Sequence, residues 1–404
     1  FRILLNPAAL RETHLHRRRC PRDDLAPAID QQRFRVGRSL VDCQNHLFHF
    51  HLLGQGVGPH GSVVRVALVN TVADLPAASG PGHQTVGRVQ GDPDPVAGPV
   101  AALDHDARIS NSEGAGVNLH RGISLYANSH GFLGTQRRSR YSISCAVIAG
   151  AGDAMQRDYH YTAARCADDM EDASQVGRRA ATKTVARLGA RKMETARAPV
   201  LFIPELARGF IGHAISAIAG GALYRKASFL LDAAGEKLFP DFVSILERPH
   251  IPRGMASVPY DSEGVATYDR DIVSGGVLQG YVLSSYSARR LGLQTTANAG
   301  GAQNLVVPGS DKDRQALTRE MGTGLVVEEL IGHGVNGVTG DYSRGAVGYW
   351  VENGEIAYPV HEVTIAGNLR DLYQRIVVIG DDQDLRGGIR CGSLLVEEMT
   401  IAGA

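Results

Sequence analysis

The stretch FIGHAISAIAGGALY, Phe210 to Tyr224, carries one histidine on a helical pattern. An imidazole there raises the question of a metal-activated water. A helix-borne zinc site needs a second ligand about one turn away and usually a carboxylate as base. One turn on from His213 stand Ser216 and Ala217; one turn back stand Gly209 and Phe210. None of the four is a strong zinc donor, so His213 reads as a core or cavity histidine. His361-Glu362 fails likewise, because no histidine follows it. Cys391, in RCGS, reads either as a metal ligand or as a small buried side chain, and alone it favours burial. GDYSRG, residues 340 to 345, is a polar knot between apolar runs. Asp341 and Arg344 could pair across a tight turn capped by Ser343. Alternatively the loop, with Tyr342, could line a cavity and contact a peptide backbone.

Other candidates carry less. His46, His49 and His51 in HLFHFH have no Glu or Cys close by to complete a metal site. Gly56, Gly58 and Gly61 fit G-x-G-x-x-G, but Pro59 sits inside the motif and no helical pattern follows. No G-x-S-x-G nucleophile elbow is present.

The elements that must position these residues are readable from Arg108 onward. RISNSEG and LYANSHGF read as strand, glycine turn, strand. YSISCAVIAGAGDAMQRDYHYTAAR suggests two strands around a glycine-rich turn. ASQVGRRAATKTVARLG spaces Val176, Ala180, Ala181, Val185 and Leu188 as a helix that stops at Gly189. APVLFIP is a short apolar run fit for a buried strand, and it feeds the histidine helix. On that helix Leu206, Phe210, Ile211, Ala214, Ile215 and Ile218 form an apolar stripe. Gly209, Gly212, Ser216 and Gly220 form a second seam of small residues, which predicts close approach of another backbone. Gly275-Gly276 predicts a hairpin, and Asn353-Gly354 predicts one more strongly, as a type I′ turn. Ser310 is the predicted cap of a helix with acidic residues in its first turn. The expected fold is α+β: an anomalous segment over residues 1–104, the remainder of an N-terminal α/β domain over residues 105–195, then a β-rich C-terminal domain over residues 196–404.

Composition divides the chain. Before Asp104 there is no Lys, Met, Tyr or Trp, and Glu12 is the only glutamate. The same stretch holds seven histidines and nine prolines, and DPDPVAGP from Asp92 is predicted to be irregular. A shifted reading frame in a GC-rich gene would produce such a bias, so residues 1–104 are expected to be aberrant; the alternative is a genuine but unusual N-terminal region. The chain opens on Phe1 rather than Met, so the native start is expected elsewhere. Lys plus Arg and Asp plus Glu balance at 42 each, which gives no sign of nucleic-acid or anionic-membrane binding. The most apolar run, Pro199 to Tyr224, is broken by Glu205, Arg208 and His213, so no membrane span is predicted. Cys20, Cys43, Cys145, Cys166 and Cys391 are scattered, as expected for reduced thiols in a cytoplasm.

From about Arg108 to the end the chain resembles the PmbA (TldE) branch of the TldD/PmbA family. The resemblance rests on RISNSEG, NSHGF, QRDYHYT, GHAISAIAGGALYRKASFLLD, DSEGVATYDRDI, SYSARRLGL, EMGTGLVVEEL, GDYSRGAVGYWVENGEIAYPV, VTIAGNL and RCGSLLVEEM. It implies one subunit of a heterodimeric cytosolic metallopeptidase that degrades unfolded peptides in an enclosed chamber, with roles in microcin maturation and antitoxin turnover. In the family the TldD subunit carries a His-Glu-x-x-x-His helix and a later cysteine. On this chain those positions fall at Gly212, His213, Ala217 and Cys391. The resemblance therefore implies no zinc here, zinc in a TldD-like partner, and a chamber to which His213, Asp341, Tyr342, Ser343 and Arg344 contribute. A rival expectation is a non-catalytic binding protein that modulates the DNA gyrase–toxin system.

Overall fold

The computed structural model describes residues 97–403 and, as backbone only, the strands at 42–43, 46–47, 49–55 and 63–71. The side chains of His46, His49 and His51, the three glycines of the G-x-G-x-x-G match, and Asp92 to Val96 lie outside the described residues. The chain divides into two units, Phe1–Asp74 with Asn118–Tyr141, and Leu75–Val117 with Ser142–Ala404.

In the first unit, β1 (Asp42–Cys43) and β2 (His46–Leu47) form a short antiparallel pair. β3 (His49–Gln55) pairs antiparallel with β4 (Val63–Thr71). β4 in turn pairs with residues 120–127 of β5 (Ile109–Ala127). The expected glycine turn inside β5 is absent: the strand runs unbroken for 19 residues. Gly114 has φ +109°, and the Ser112 hydroxyl accepts its N–H at 3.0 Å, so the glycine kinks the strand without ending it. The reversal comes later, where the Asn128 side chain accepts the N–H groups of His130 and Phe132.

In the second unit, α1 (Ala97–Leu103) packs on α2 (Ala173–Ala186). The contact is backbone on backbone, since a Cβ on Gly177 would stand 1.9 Å from the Gly98 carbonyl oxygen. The expectation that DPDPVAGP is irregular throughout fails at its end. Pro99 lies in the first turn of α1, where a missing N–H costs nothing. β6 (Leu133–Ala149) and β7 (Gln156–Ala164) follow β5 in sheet order, joined through the glycine-rich turn as predicted.

The C-terminal region is β-rich and contains a closed sheet. β8 (Ala196–Phe202) leads into α3 (Pro204–Ala217) and the one-turn α4 (Gly220–Tyr224). A five-stranded sheet of short strands follows: β9 (Ile245–Glu247), β10 (Arg270–Ser274), β11 (Val277–Leu278), β12 (Leu305–Val306) and, much later, β17 (Ile389–Arg390), in the order β11-β10-β9-β12-β17. α5 (Ser285–Leu291) and α6 (Arg314–Met321) flank β12 in sequence. The other strands are β13 (Gly324–Ile331), β14 (Asp341–Glu352), β15 (Glu355–Asn368), β16 (Ile376–Ile379) and β18 (Leu394–Ala402), with α7 (Leu369–Gln374) after β15. Their order with β8 is β15-β14-β13-β8-β18-β16, and β15 also pairs with β18 through Thr364↔Ala402 to Ala366↔Thr400. That last pairing closes β8, β13, β14, β15 and β18 into a barrel with β16 as a branch.

β8 explains why its apolar run is continuous. Val200 and Phe202 enter the main core with Phe210 and Tyr373, while Leu201 and Ile203 enter a second core with Leu317 and Val351 on the other face. The Asn353-Gly354 hairpin forms as predicted, with φ +52° and +79°. The predicted cap of α6 is corrected. Asp313, not Ser310, caps it by accepting the Ala316 N–H at 2.8 Å, and the first turn holds no acidic residue. Asp311 and Asp313 thus precede the helix rather than opening it. No helix among the described residues is long and apolar enough to cross a membrane.

Candidate functional site

α3 starts abruptly because Pro204 fits its first turn and Ile203, the residue before proline, stays extended. Its apolar stripe is nailed down by rings. Phe210 lies 5.2 Å from both Phe202 and Tyr373 and 6.0 Å from Tyr342. The Tyr373 hydroxyl donates to the Phe210 carbonyl at 3.1 Å. Burial raises the Tyr373 phenol well above its ordinary range, so it stays a neutral donor.

The small-residue seam behaves differently from expectation. No heavy atom lies within 4 Å of the place a Gly209 Cβ would take, and a Gly212 Cβ would only touch Ile389 at 3.6 Å. Ser216 is exposed and bonds back to the Gly212 carbonyl. Among the described residues no backbone presses on this face of α3. Only Gly220, in α4, is tightly packed, against Ser287 and Leu283 side chains.

Of the predicted chamber residues, the structure brings three together. His213 is half-buried, its ring 6.1 Å from that of Tyr342. Burial, then the positive charge of Arg344, pushes the His213 pKa below the usual histidine value, so the ring is neutral near pH 7. Tyr342 is buried, and its phenol is pushed up to about 12. The tight turn predicted at GDYSRG does not exist, because Asp341 to Arg344 open strand β14 and side chains alternate along it. Arg344 shares the Tyr342 face, while Asp341 and Ser343 are exposed on the other. Asp341 does not pair with Arg344. It accepts from Thr339 at 2.6 Å and Asn368 at 3.3 Å, while Arg344 reaches the Leu330 and Ile331 carbonyls at 3.4 Å.

A strand edge borders this region. β13 pairs with β8 only over Leu325 to Val327, where β8 gives way to α3. On that side, Glu328 to Ile331 have no strand partner among the described residues, although β14 covers the other side as far as Ile331.

Zinc does not fit the donors present. His213 is a single imidazole, and Gly212 and Ala217 offer no donor atom. Cys391 is fully buried, burial together with the Asp382 charge pushes its thiol up to about 12, and a single thiol is too few donors for zinc. Among the described residues no three His, Cys, Asp or Glu side chains gather as a metal site.

Sequence reasoning missed a polar network at the start of α3. Arg386 donates to Glu205, to Asp384 at 2.8 Å and to the Tyr161 carbonyl at 2.8 Å, with its guanidinium 4.3 Å over the Tyr161 ring. Arg208 donates to Asp384 at 2.8 Å and to the Tyr161 hydroxyl at 3.0 Å. Burial raises the Asp384 pKa, but the Arg386 hydrogen bonds outweigh it and hold the carboxyl below its usual range. The network borders a cleft of about 1140 Å³ formed by β7, α2, α6, the β14–β15 hairpin and the loop at 382–390. Its only advance sign was the mixed charge of DDQDLRGGIR, since the partners lie up to 225 residues apart.

Residues 195–403 match the PmbA/TldA metallopeptidase C-terminal domain, and residues 100–188 match the central domain of the same proteins. The chain belongs to the PmbA/TldA metallopeptidase family. Metalloprotease PmbA of Escherichia coli O157:H7 is 50% identical over 75% of this chain and 67% of its own length. The PmbA homologue of Haemophilus influenzae is 51% identical over the same shares, which places the chain on the PmbA branch. The chain thus spans about two thirds of the length of these relatives. Among solved structures, a Thermotoga maritima protein described as a candidate modulator of a DNA gyrase superposes with TM-score 0.72 at 28% identity, over 76% of this chain and 73% of that one. TldE of Thermococcus kodakarensis shares the fold, with TM-score 0.68 and 20% identity over 78% of each chain.

Proposed function

We propose that this chain is the metal-free subunit of a two-subunit cytoplasmic peptidase for unfolded peptides, and that a TldD-like partner holds the zinc. The observation that carries the reading is the donor set on and near α3: one imidazole, a glycine, an alanine and a sealed thiol. The partner supplies the Lewis acid and the activated water, and this chain shapes and lines the space in which the peptide lies.

Two features support that role. The open face of α3 at Gly209, Gly212 and Ser216 leaves room for a main chain to lie close. Beside it, Glu328 to Ile331 of β13 offer a strand edge, and a peptide added there would be held by main-chain hydrogen bonds with little sequence preference. The chamber would be lined by His213, Tyr342 and Arg344 from α3 and β14, with Asp341 and Ser343 on the far face of β14. A neutral His213 can offer a hydrogen bond without a charge penalty. Microcin maturation and antitoxin turnover are the processes this reading points to.

The test is cleavage of an unstructured fluorogenic peptide by this chain alone, by a TldD-like subunit alone, and by the mixture. Activity in the mixture only is expected; turnover by the pure chain at the rate of the mixture defeats the proposal. The Thermotoga neighbour's description favours a second reading, a non-catalytic binder acting on DNA gyrase. Direct binding to gyrase with no peptidase activity in any mixture would select it.

A further inference from the structure

The cleft beside the Arg386 network has a charge balance that defines its ligand. Seven Arg and Lys side chains and six Asp and Glu side chains line it. His160, also in the wall, is held below the usual histidine pKa, first by burial, and adds no charge near neutrality. The wall therefore carries one excess positive charge.

Most of the charges are spoken for. Arg253 pairs with Asp169 at 2.8 Å, Arg314 with Glu328 at 2.8 Å, and Arg179 with Glu171 at 3.3 Å. Asp382 accepts the N–H and the hydroxyl of Ser393 at 2.8 and 2.7 Å. Arg390 is the exception. Its side chain has no hydrogen-bond or ion-pair partner among the described residues, and its Nε is shielded from solvent with no acceptor. A shielded guanidinium N–H without an acceptor is costly and asks for an anion. The residue is not loose: it pairs with Val306 in sheet register, and its carbonyl accepts the Val307 N–H at 2.9 Å. The same cleft carries apolar surface, for Ile356 and Leu385 are 58% and 56% exposed and both line it.

We propose that the cleft binds the free C-terminal carboxylate of a peptide at Arg390, with the peptide's last apolar side chains against Ile356 and Leu385. A planar carboxylate matches the guanidinium fork and supplies one negative charge. Six wall carboxylates disfavour a more highly charged group such as phosphate. The inference rests on the peptide-binding role proposed above and specifies which end of the chain is held.

The test uses the full chain and one unstructured decapeptide with an apolar C-terminus, fluorescein-labelled at its N-terminus and made as the free acid and as the amide. Anisotropy titration is expected to show the acid binding about tenfold tighter than the amide. Arg390→Gln should abolish the difference and leave amide binding unchanged. Equal binding of acid and amide to the wild type overturns the carboxylate site while leaving the peptide role standing. No binding of either peptide overturns both. In case Arg390→Gln fails to fold, the wild-type protein provides a second reading. The Arg390 Nε–Hε NMR signal should shift with the acid and not with the amide, and no shift refutes the proposal. Inorganic phosphate should not displace the acid peptide; displacement at equal concentration would mean a general anion site and overturn the assignment.

Discussion

Gly209→Ala should stabilise this protein, and the sign separates two accounts of α3. The sequence seam of small residues suggests a backbone pressed against the helix. The structure shows open space, with no heavy atom within 4 Å of the added Cβ. Alanine in a helix interior is worth about 1 kcal/mol over glycine. With no clash to oppose it, the full amount should appear, a rise of about 2–4 °C in melting midpoint for a domain of this size. Gly212→Ala should act in the same direction, since 3.6 Å to Ile389 is an ordinary contact. Gly220→Ala is the internal control. Its Cβ would stand 2.3 Å from Ser287 Oγ and 2.9 Å from Leu283 Cδ2, so a loss of about 1–3 kcal/mol is expected. Thermal and urea melts of the three variants decide the matter. A Gly209→Ala variant that loses 1 kcal/mol or more would refute the open face. If peptide lies along that face, the stabilised variant should also lose peptide cleavage in the presence of partner, so stability and activity move in opposite directions.

Other outcomes follow from buried polar groups. Glu247, 1% exposed, accepts from Arg270, from Asn298 and from the Gln303 N–H, each at 2.7 Å. Glu247→Ala strands the Arg270 charge and should cost about 3–5 kcal/mol by urea denaturation. Tyr373→Phe removes the bond to the Phe210 carbonyl and should cost about 1–2 kcal/mol, read from the shift in urea midpoint. The pKa of His213 is lowered in the folded state relative to the unfolded chain, so the unfolded state binds more protons and stability falls as pH drops below about 6.5. A His213→Asn variant should show a flatter stability profile below that pH, with no change in slope between pH 7 and 8; an unchanged acid slope would contradict a buried neutral ring. Sequencing the gene over the codons before Ala97 should reveal a change of frame, since α1 already packs on α2 through Gly98; an uninterrupted frame would contradict a shifted origin for the leading segment.

Legibility followed the range of the forces involved. The β14–β15 hairpin was readable because Asn353-Gly354 meets a local dihedral demand. α2 and α3 were readable because each buries one periodic stripe. β5 was misread because a glycine at positive φ can kink a paired strand as readily as reverse it, and only its neighbours decide which. GDYSRG was misread as a turn for a similar reason. Its polar residues are the exposed face of a strand whose other face carries Tyr342 into the core. The barrel closure between residues 364–366 and 400–402 leaves no local trace at all. Neither does the network joining Tyr161, Glu205, Arg208, Asp384 and Arg386, because each pairing is set by tertiary approach alone. That no strong zinc donor stands one turn from His213 is a property of the sequence itself and needs no fold to be read.

Zinc stoichiometry tests the central claim most directly. The purified chain, dialysed against buffer containing micromolar zinc and then against metal-free buffer, should retain far less than one zinc per molecule by mass spectrometry, while its complex with a TldD-like subunit should retain one zinc per pair. One tightly held zinc per molecule of this chain alone, lost on Cys391→Ser or His213→Ala, would contradict the account.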